Sequence, residues 1–253
     1  MNQKNIKGIS LKNVSAGYKG KTIIKDIDLY FPAGKITAIL GENGSGKTTL
    51  LRAMAGLIKY DGSISIDGEE LSDMSSRKRA AKIAMLAQMN SAYFSFTVEE
   101  TVKMGRYRFS KGIFSESDKN NWLSVEKCMQ DADITDIRKK YIGELSGGQL
   151  QRVYLAQMFA QDSEYIFLDE PTNHLDLKYR SALEQRLLNS NKSVVMVYHD
   201  IATALKIAHQ IVLIKYGNVT AVGSPAEIIS NGSLNEAFSM DVISYLGLNK
   251  KII

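Results

Sequence analysis

Eight consecutive residues, Gly41-Glu42-Asn43-Gly44-Ser45-Gly46-Lys47-Thr48, constrain this chain more than any other stretch. They match G-x-x-x-x-G-K-[ST], with a short apolar run before them (Lys35 to Leu40) and a breaker-free segment after them (Thr49 to Ala55). A strand that enters a glycine turn and leaves as a helix builds a phosphate cradle. Bare glycines let backbone N–H groups converge on an anion that a Cβ would obstruct, and the helix adds its positive N-terminal end. In such a loop Lys47 reaches the β- and γ-phosphates of a nucleotide, and the Thr48 hydroxyl ligates Mg²⁺. Gly41, Asn43, Gly44, Ser45, Gly46 and Thr49 complete the expected phosphate-binding set.

A second element supplies acid. Tyr165-Ile166-Phe167-Leu168 reads as an apolar strand delivering Asp169 and Glu170 at its C-terminal end, the edge where open α/β sheets place ligands. Asp169 suits a Mg²⁺ contact, direct or through water. Glu170, one residue on, suits polarising the water that attacks a γ-phosphate.

The rest of the chain fits around these two strands. Ile27, Leu29 and Phe31 alternate with polar or exposed neighbours, as in a half-buried strand, and Asp61-Gly62 leads into another alternating run, Ser63 to Ile66. From about Thr97 to Tyr141 the pattern turns helical and contains no proline; Thr97-Val98-Glu99-Glu100 fits a capping box opening it. After Gly147-Gly148 another helix runs to about Gln161. Apolar strands near Tyr165, Ser193 to Val197 and Ile211 to Ile214 then alternate with helices, which implies a parallel sheet covered on both faces. The expected organisation is one α/β domain over 1–253 with a helical insert at roughly 89–161.

The motif Leu145-Ser146-Gly147-Gly148-Gln149, leading into Leu150-Gln151-Arg152, resembles the signature of ATP-binding cassette (ABC) ATPases. Ser146 and two bare glycines at a helix N-terminus make a second anion site, which a nucleotide already held by one phosphate loop does not need from its own subunit. The resemblance implies an ABC-type P-loop core: a mostly parallel sheet with an N-terminal antiparallel β part, plus an α-helical subdomain. It also implies that Ser146, Gly147, Gly148 and Gln149 close over ATP held by a second copy in a head-to-tail dimer. Other family positions are filled in order. Tyr18 resembles the aromatic that stacks on adenine, and Gln88 the glutamine that senses Mg²⁺ and the γ-phosphate. Asn173-His174-Leu175-Asp176 resembles the loop after the catalytic carboxylate, with Asp176 contacting across the dimer, and His199 the switch histidine. Glu170 and His199 are thus the expected catalytic pair. Tyr198 departs from the pattern, since the family more often carries a small or hydroxyl residue before that histidine. His174 and His209 read as surface or packing residues.

Composition narrows the setting. Net charge is +5, and Lys and Arg are scattered apart from Arg77-Lys78-Arg79 and Arg138-Lys139-Lys140, so a solvated surface is expected and no nucleic-acid partner. The single cysteine, Cys128, excludes an internal disulfide and falls in an expected helix, where packing is its role. No apolar stretch approaches the eighteen or so residues that span a bilayer, and the polar N-terminus lacks the h-region of a signal peptide. One cassette without a membrane span resembles the separate subunit that drives a transporter, peripheral on the cytoplasmic face, with membrane permease subunits as partners and a substrate-binding protein acting indirectly. Phe96 to Arg106 and Gly223 to Phe238 are similar to ATPases of iron–siderophore, haem and cobalamin importers. A ferric siderophore or related chelate is the expected cargo. Haem, cobalamin, a regulatory cassette and a soluble nucleic-acid-acting cassette are the alternatives.

Overall fold

The computed structural model describes residues 7–86, 95–109 and 119–247. Two kinds of strand are distinguishable by burial. In β1 (Gly8–Tyr18) and β2 (Lys21–Pro32) buried and exposed residues are interspersed, whereas β3 (Ile36–Leu40) buries every residue. Interspersed burial suits a sheet with one wet face, and continuous burial suits a parallel strand covered on both sides. The chain continues through α1 (Lys47–Met54), β4 (Tyr60–Ile66), β5 (Glu69–Glu70), α2 (Ser76–Lys82) and β6 (Ile83–Leu86). Three helices follow, α3 (Val98–Met104), α4 (Lys119–Asp131) and α5 (Gly147–Ala160). Then come β7 (Tyr165–Asp169), α6 (Leu177–Leu188), β8 (Ser193–Val197), α7 (Ile201–Ile207), β9 (Gln210–Lys215) and β10 (Asn218–Gly223). Short helices over Pro225–Ser230, Ser233–Phe238 and Val242–Tyr245 complete the described part.

The first sheet is antiparallel, in the order β2-β1-β4-β5. The second runs β10-β9-β3-β8-β7-β6, parallel from β9 to β6 with β10 antiparallel at its edge. Leu50, Leu51 and Met54 of α1 fill the space between the sheets, against Ile9 and Ile64 on one side and Phe167 and Val195 on the other. The opposite face of the parallel sheet packs Leu168 and Met196 on Leu155 of α5 and Leu187 of α6. A separate cluster joins Val98 and Val102, Val125 and Met129, and Val153 and Ala156, one pair from each of α3, α4 and α5. The fold is thus the P-loop cassette architecture that the motifs imply.

Local expectations held unevenly. Thr97 and Glu100 do form a capping box: the Glu100 N–H donates to Thr97 Oγ1 at 3.3 Å and the Thr97 N–H to the Glu100 carboxylate at 2.8 Å. Cys128 is buried in α4, where burial pushes its thiol up. The stretch from Thr97 to Tyr141 is not helical throughout. Past Asp131 the chain turns at Asp133 (φ 53°), and Arg152 of α5 donates to the carbonyls of Ala132 (3.0 Å) and Asp133, which a continuing helix would have used itself.

A polar tie links the two sheets. Asp67, in the turn after β4 with φ 53°, accepts from Tyr165 Oη (2.5 Å), Lys82 Nζ (2.5 Å) and the Gly8 N–H (3.1 Å). Burial alone would raise the Asp67 carboxyl. The hydrogen bonds from Lys82 and Tyr165 outweigh that and hold it below the ordinary carboxylate range. A carboxyl with a lower pKa folded than unfolded adds stability above its unfolded value, near pH 4, and loses it as the pH falls through the folded value. Asp67→Asn should therefore cost about 2 kcal/mol at neutral pH, with the gap from the wild type closing toward pH 3. Thermal unfolding across that range checks this, and a pH-independent loss would contradict it.

Candidate functional site

Strand order decides what meets here. β3, β8 and β7 are adjacent and parallel, with Ile39 level with Val197 and Val197 level with Asp169. Three loops therefore leave the sheet at one edge: Gly41–Thr48 after β3, Tyr198–His199 after β8, and Glu170 onward after β7. The topology brings together the phosphate loop, Asp169, Glu170 and His199, residues up to 158 positions apart in sequence (41 to 199).

The loop is shaped by its glycines and by one buried cation. Gly44 (φ 78°) and Gly46 (φ 107°) take left-handed conformations, and Gly46 caps α1. The first intrahelical bond is Leu50 N–H to the Gly46 carbonyl at 2.9 Å, so the N–H groups before it point out of the helix toward a ligand. Lys47 is 5% exposed and donates to the carbonyls of Gly41 and Glu42, both at 2.8 Å. Burial lowers its pKa, opposed by the nearby Glu170 and Asp169 carboxylates. Thr49 and Ser45 are buried, the Ser45 hydroxyl without a partner, while Asn43 is exposed.

Backbone from elsewhere braces this loop. A Cβ on Gly41 would lie 2.1 Å from the Ile214 carbonyl of β9. The turn between β9 and β10 reaches the loop through the Gly217 N–H, which donates to the Ser45 carbonyl at 2.9 Å, and Gly217 in turn accepts from Lys25 N–H of β2 at 3.2 Å. Gly217 has φ 80°, and a Cβ there would meet the Ile23 carbonyl at 2.1 Å. That the tip of the β9–β10 turn braces a loop some 170 residues earlier is a tertiary fact, which the local sequence at Tyr216-Gly217 does not spell.

Asp169 is 2% exposed. Its Oδ1 accepts from Thr48 Oγ1 at 3.0 Å, and its Oδ2 is buried without a partner. Burial raises its carboxyl above the ordinary range, more than the Thr48 hydroxyl lowers it. A hard oxygen donor left unsatisfied beside a hydroxyl is the donor set that Mg²⁺ takes, so these residues fit the ion. Glu170 follows with φ 52°. Its Oε1 lies 2.6 Å from His199 Nε2, and its Oε2 accepts from Asn173 Nδ2 at 2.7 Å. Asn173 was named only as part of a motif; nothing local in the sequence showed that its amide returns to Glu170.

The Ser146–Gln149 segment sits on the surface. Ser146 caps α5 in a capping box, accepting from Gln149 N–H at 3.3 Å while Gln149 Oε1 accepts from Ser146 N–H at 3.1 Å. Among the described residues no hydrogen bond joins it to the phosphate loop. Its neighbour is the 171–176 loop: a Cβ on Gly148 would meet the His174 carbonyl at 2.8 Å, and Gln151 Nε2 donates to the Pro171 carbonyl at 2.9 Å. Gly147 faces the His174 ring, and Asp176 caps α6 by accepting from Tyr179 N–H at 3.1 Å. Tyr18, at the end of β1, is 40% exposed, and Arg52 of α1 donates to its hydroxyl at 3.4 Å. Gln88 lies outside the described residues. Tyr198 is buried beneath His199, with Thr172 as a polar neighbour, and burial pushes its phenol up to about 12. His209 accepts from Ile36 N–H at 3.2 Å, a packing role.

The ABC transporter family model matches residues 24–173. The petrobactin import ATP-binding protein YclP of Bacillus subtilis is 38% identical over 239 residues, 92% of this chain and 94% of that protein. The probable siderophore transport system ATP-binding protein YusV of the same organism is 35% identical, covering 92% and 86%. The dimeric structure of MJ0796, a bacterial ABC transporter cassette, superposes with a TM-score of 0.78 at 29% identity, over 86% of this chain and 98% of that one. The chain belongs to the ABC transporter family, as an ATP-binding cassette with ATPase chemistry.

The brace predicts an effect that no motif would suggest. Gly217→Ala should weaken ATP binding by about tenfold or more, because the displaced turn no longer holds the Ser45 carbonyl. Gly232→Ala, at a similar φ of 76° but with open space around it, should leave affinity unchanged. Titration with a fluorescent ATP analogue reads both; equal behaviour of the two variants would contradict the brace.

Proposed function

We propose that this chain is the ATP-hydrolysing subunit of an importer whose cargo is a ferric siderophore or a related iron chelate. The observation that carries the chemistry is the convergence of Lys47 and Thr48, Asp169 and Glu170, and His199 at the ends of three adjacent parallel strands. The cargo rests on the relatives, one a petrobactin import subunit and one a probable siderophore transport subunit.

On this reading adenine lies against Tyr18 and the phosphates lie on residues 41–49. Lys47 then exchanges its two carbonyl partners for phosphate oxygens. Thr48 and Asp169 hold Mg²⁺, which when bound offsets the charge of the phosphates. Glu170 accepts a hydrogen bond from the attacking water. The new P–O bond forms at the γ-phosphorus as the bond to the bridging oxygen breaks, leaving ADP and phosphate. His199 steadies Glu170 and reaches toward the γ-phosphate.

Ser146 and Gly147, exposed at the start of α5, and the half-buried Gly148 and Gln149 serve the nucleotide of a second copy in a head-to-tail dimer, with Asp176 beside them. ATP favours the closed dimer because only there does it touch both surfaces. Permease subunits dock beside Gln88 and the helical insert at about 89–161, so the chain acts at the cytoplasmic face of the membrane. A substrate-binding protein delivers cargo from the other side, and no nucleic acid takes part. In the described residues no helix is long and apolar enough to cross a membrane.

Glu170→Gln should bind ATP normally but turn over about a hundredfold more slowly, accumulating closed dimer on size-exclusion chromatography; normal hydrolysis would remove Glu170 from its role. Lys47→Ala should lose ATP affinity. Mixed with Ser146→Arg subunits it should regain activity from one intact composite site, and a mixture as inactive as its parts would count against sites shared between subunits.

A further inference from the structure

We infer that Asn173 is a positioning residue for Glu170, fixing the plane of its carboxylate; the inference rests on the assignment of Glu170 above. A glutamate has three side-chain torsions, and the last of them, at the planar carboxylate, is broad. A hydrogen bond from His199 to Oε1 at 2.6 Å holds the group at one oxygen. A bond from Asn173 Nδ2 to Oε2 at 2.7 Å holds the other oxygen, and two held oxygens set the plane of the carboxylate. A carboxylate offers about four acceptor sites, and these two bonds take one on each oxygen.

The backbone is built to bring this amide back. Asn173 N–H donates to the Glu170 carbonyl at 3.2 Å, closing a tight turn over Pro171 and Thr172, and Pro171 has its φ fixed by its ring. The turn is held from outside by α5: Gln151 donates to the Pro171 carbonyl at 2.9 Å, and Gly148 packs directly on the His174 carbonyl. Asn173 itself is exposed and lies outside the hydrophobic clusters. Its amide is the link by which the loop carrying Asp176 reads out on Glu170.

The test compares full-length Asn173→Ala, Asn173→Asp and Asn173→Gln with the wild type and with Glu170→Gln. Asn173→Ala should lower kcat on the order of tenfold with the KM for ATP and the melting temperature unchanged. Asn173→Asp keeps the shape, loses the donor and faces a like charge, so it should fall further. Asn173→Gln, which keeps an amide donor, should recover part of the loss. In the Glu170→Gln background, Asn173→Ala should add nothing. Wild-type kcat in Asn173→Ala beside an inactive Glu170→Gln would overturn the role of Asn173 alone, as would an equal loss in both backgrounds. An active Glu170→Gln would instead remove the assignment beneath it.

Discussion

A lysine ammonium at 5% exposure must find its acceptors inside the protein, and most of the site can be traced to how Lys47 does so. Two acceptors are carbonyls of its own loop, Gly41 and Glu42, which forces the chain to curl back over the side chain. Such a curl brings backbone against backbone. Gly41 lies where a Cβ would strike the Ile214 carbonyl, and a Cβ on Gly46 would strike the Ile24 side chain at 2.7 Å. The remaining compensation comes from Asp169 and Glu170, delivered by β7, and the strand order β3-β8-β7 places them there. The charge of one residue thus constrains the glycines, the strand order and the acidic pair.

How much of this is legible in the sequence depends on the range of the interaction. The phosphate loop, its strand and its helix are local, and α1 begins two residues before the breaker-free run at Thr49 because Gly46 itself serves as the cap. The capping boxes at Thr97 and Ser146 are equally local, set by residues three apart. The Asp133 turn was missed because its cause is distant: Arg152 satisfies the carbonyls that end the helical stretch. The brace at Gly217 was missed for the same reason. Nothing in the spelling of Tyr216-Gly217 says what the turn between β9 and β10 leans on. Tyr198, which departs from the family pattern, is explained by burial, since its ring fills the core under the strand that carries His199.

The site also shows why two motifs that look separate in sequence behave as one surface. The first turn of α5 packs on the 171–176 loop through contacts that only glycine permits at 148, and Gln151 fastens the same loop at Pro171. That loop reaches inward as well as outward, since Asn173 grips Glu170 while Asp176 caps α6 at the exposed end. Any force on Ser146–Gln149 or Asp176 from outside therefore acts on a rigid piece whose inner end is a hydrogen bond to Glu170. A flexible linker would absorb such a force. Pro171, the closed turn and the Gly148 packing do not leave room for that, so contact at the surface is converted into orientation at the carboxylate.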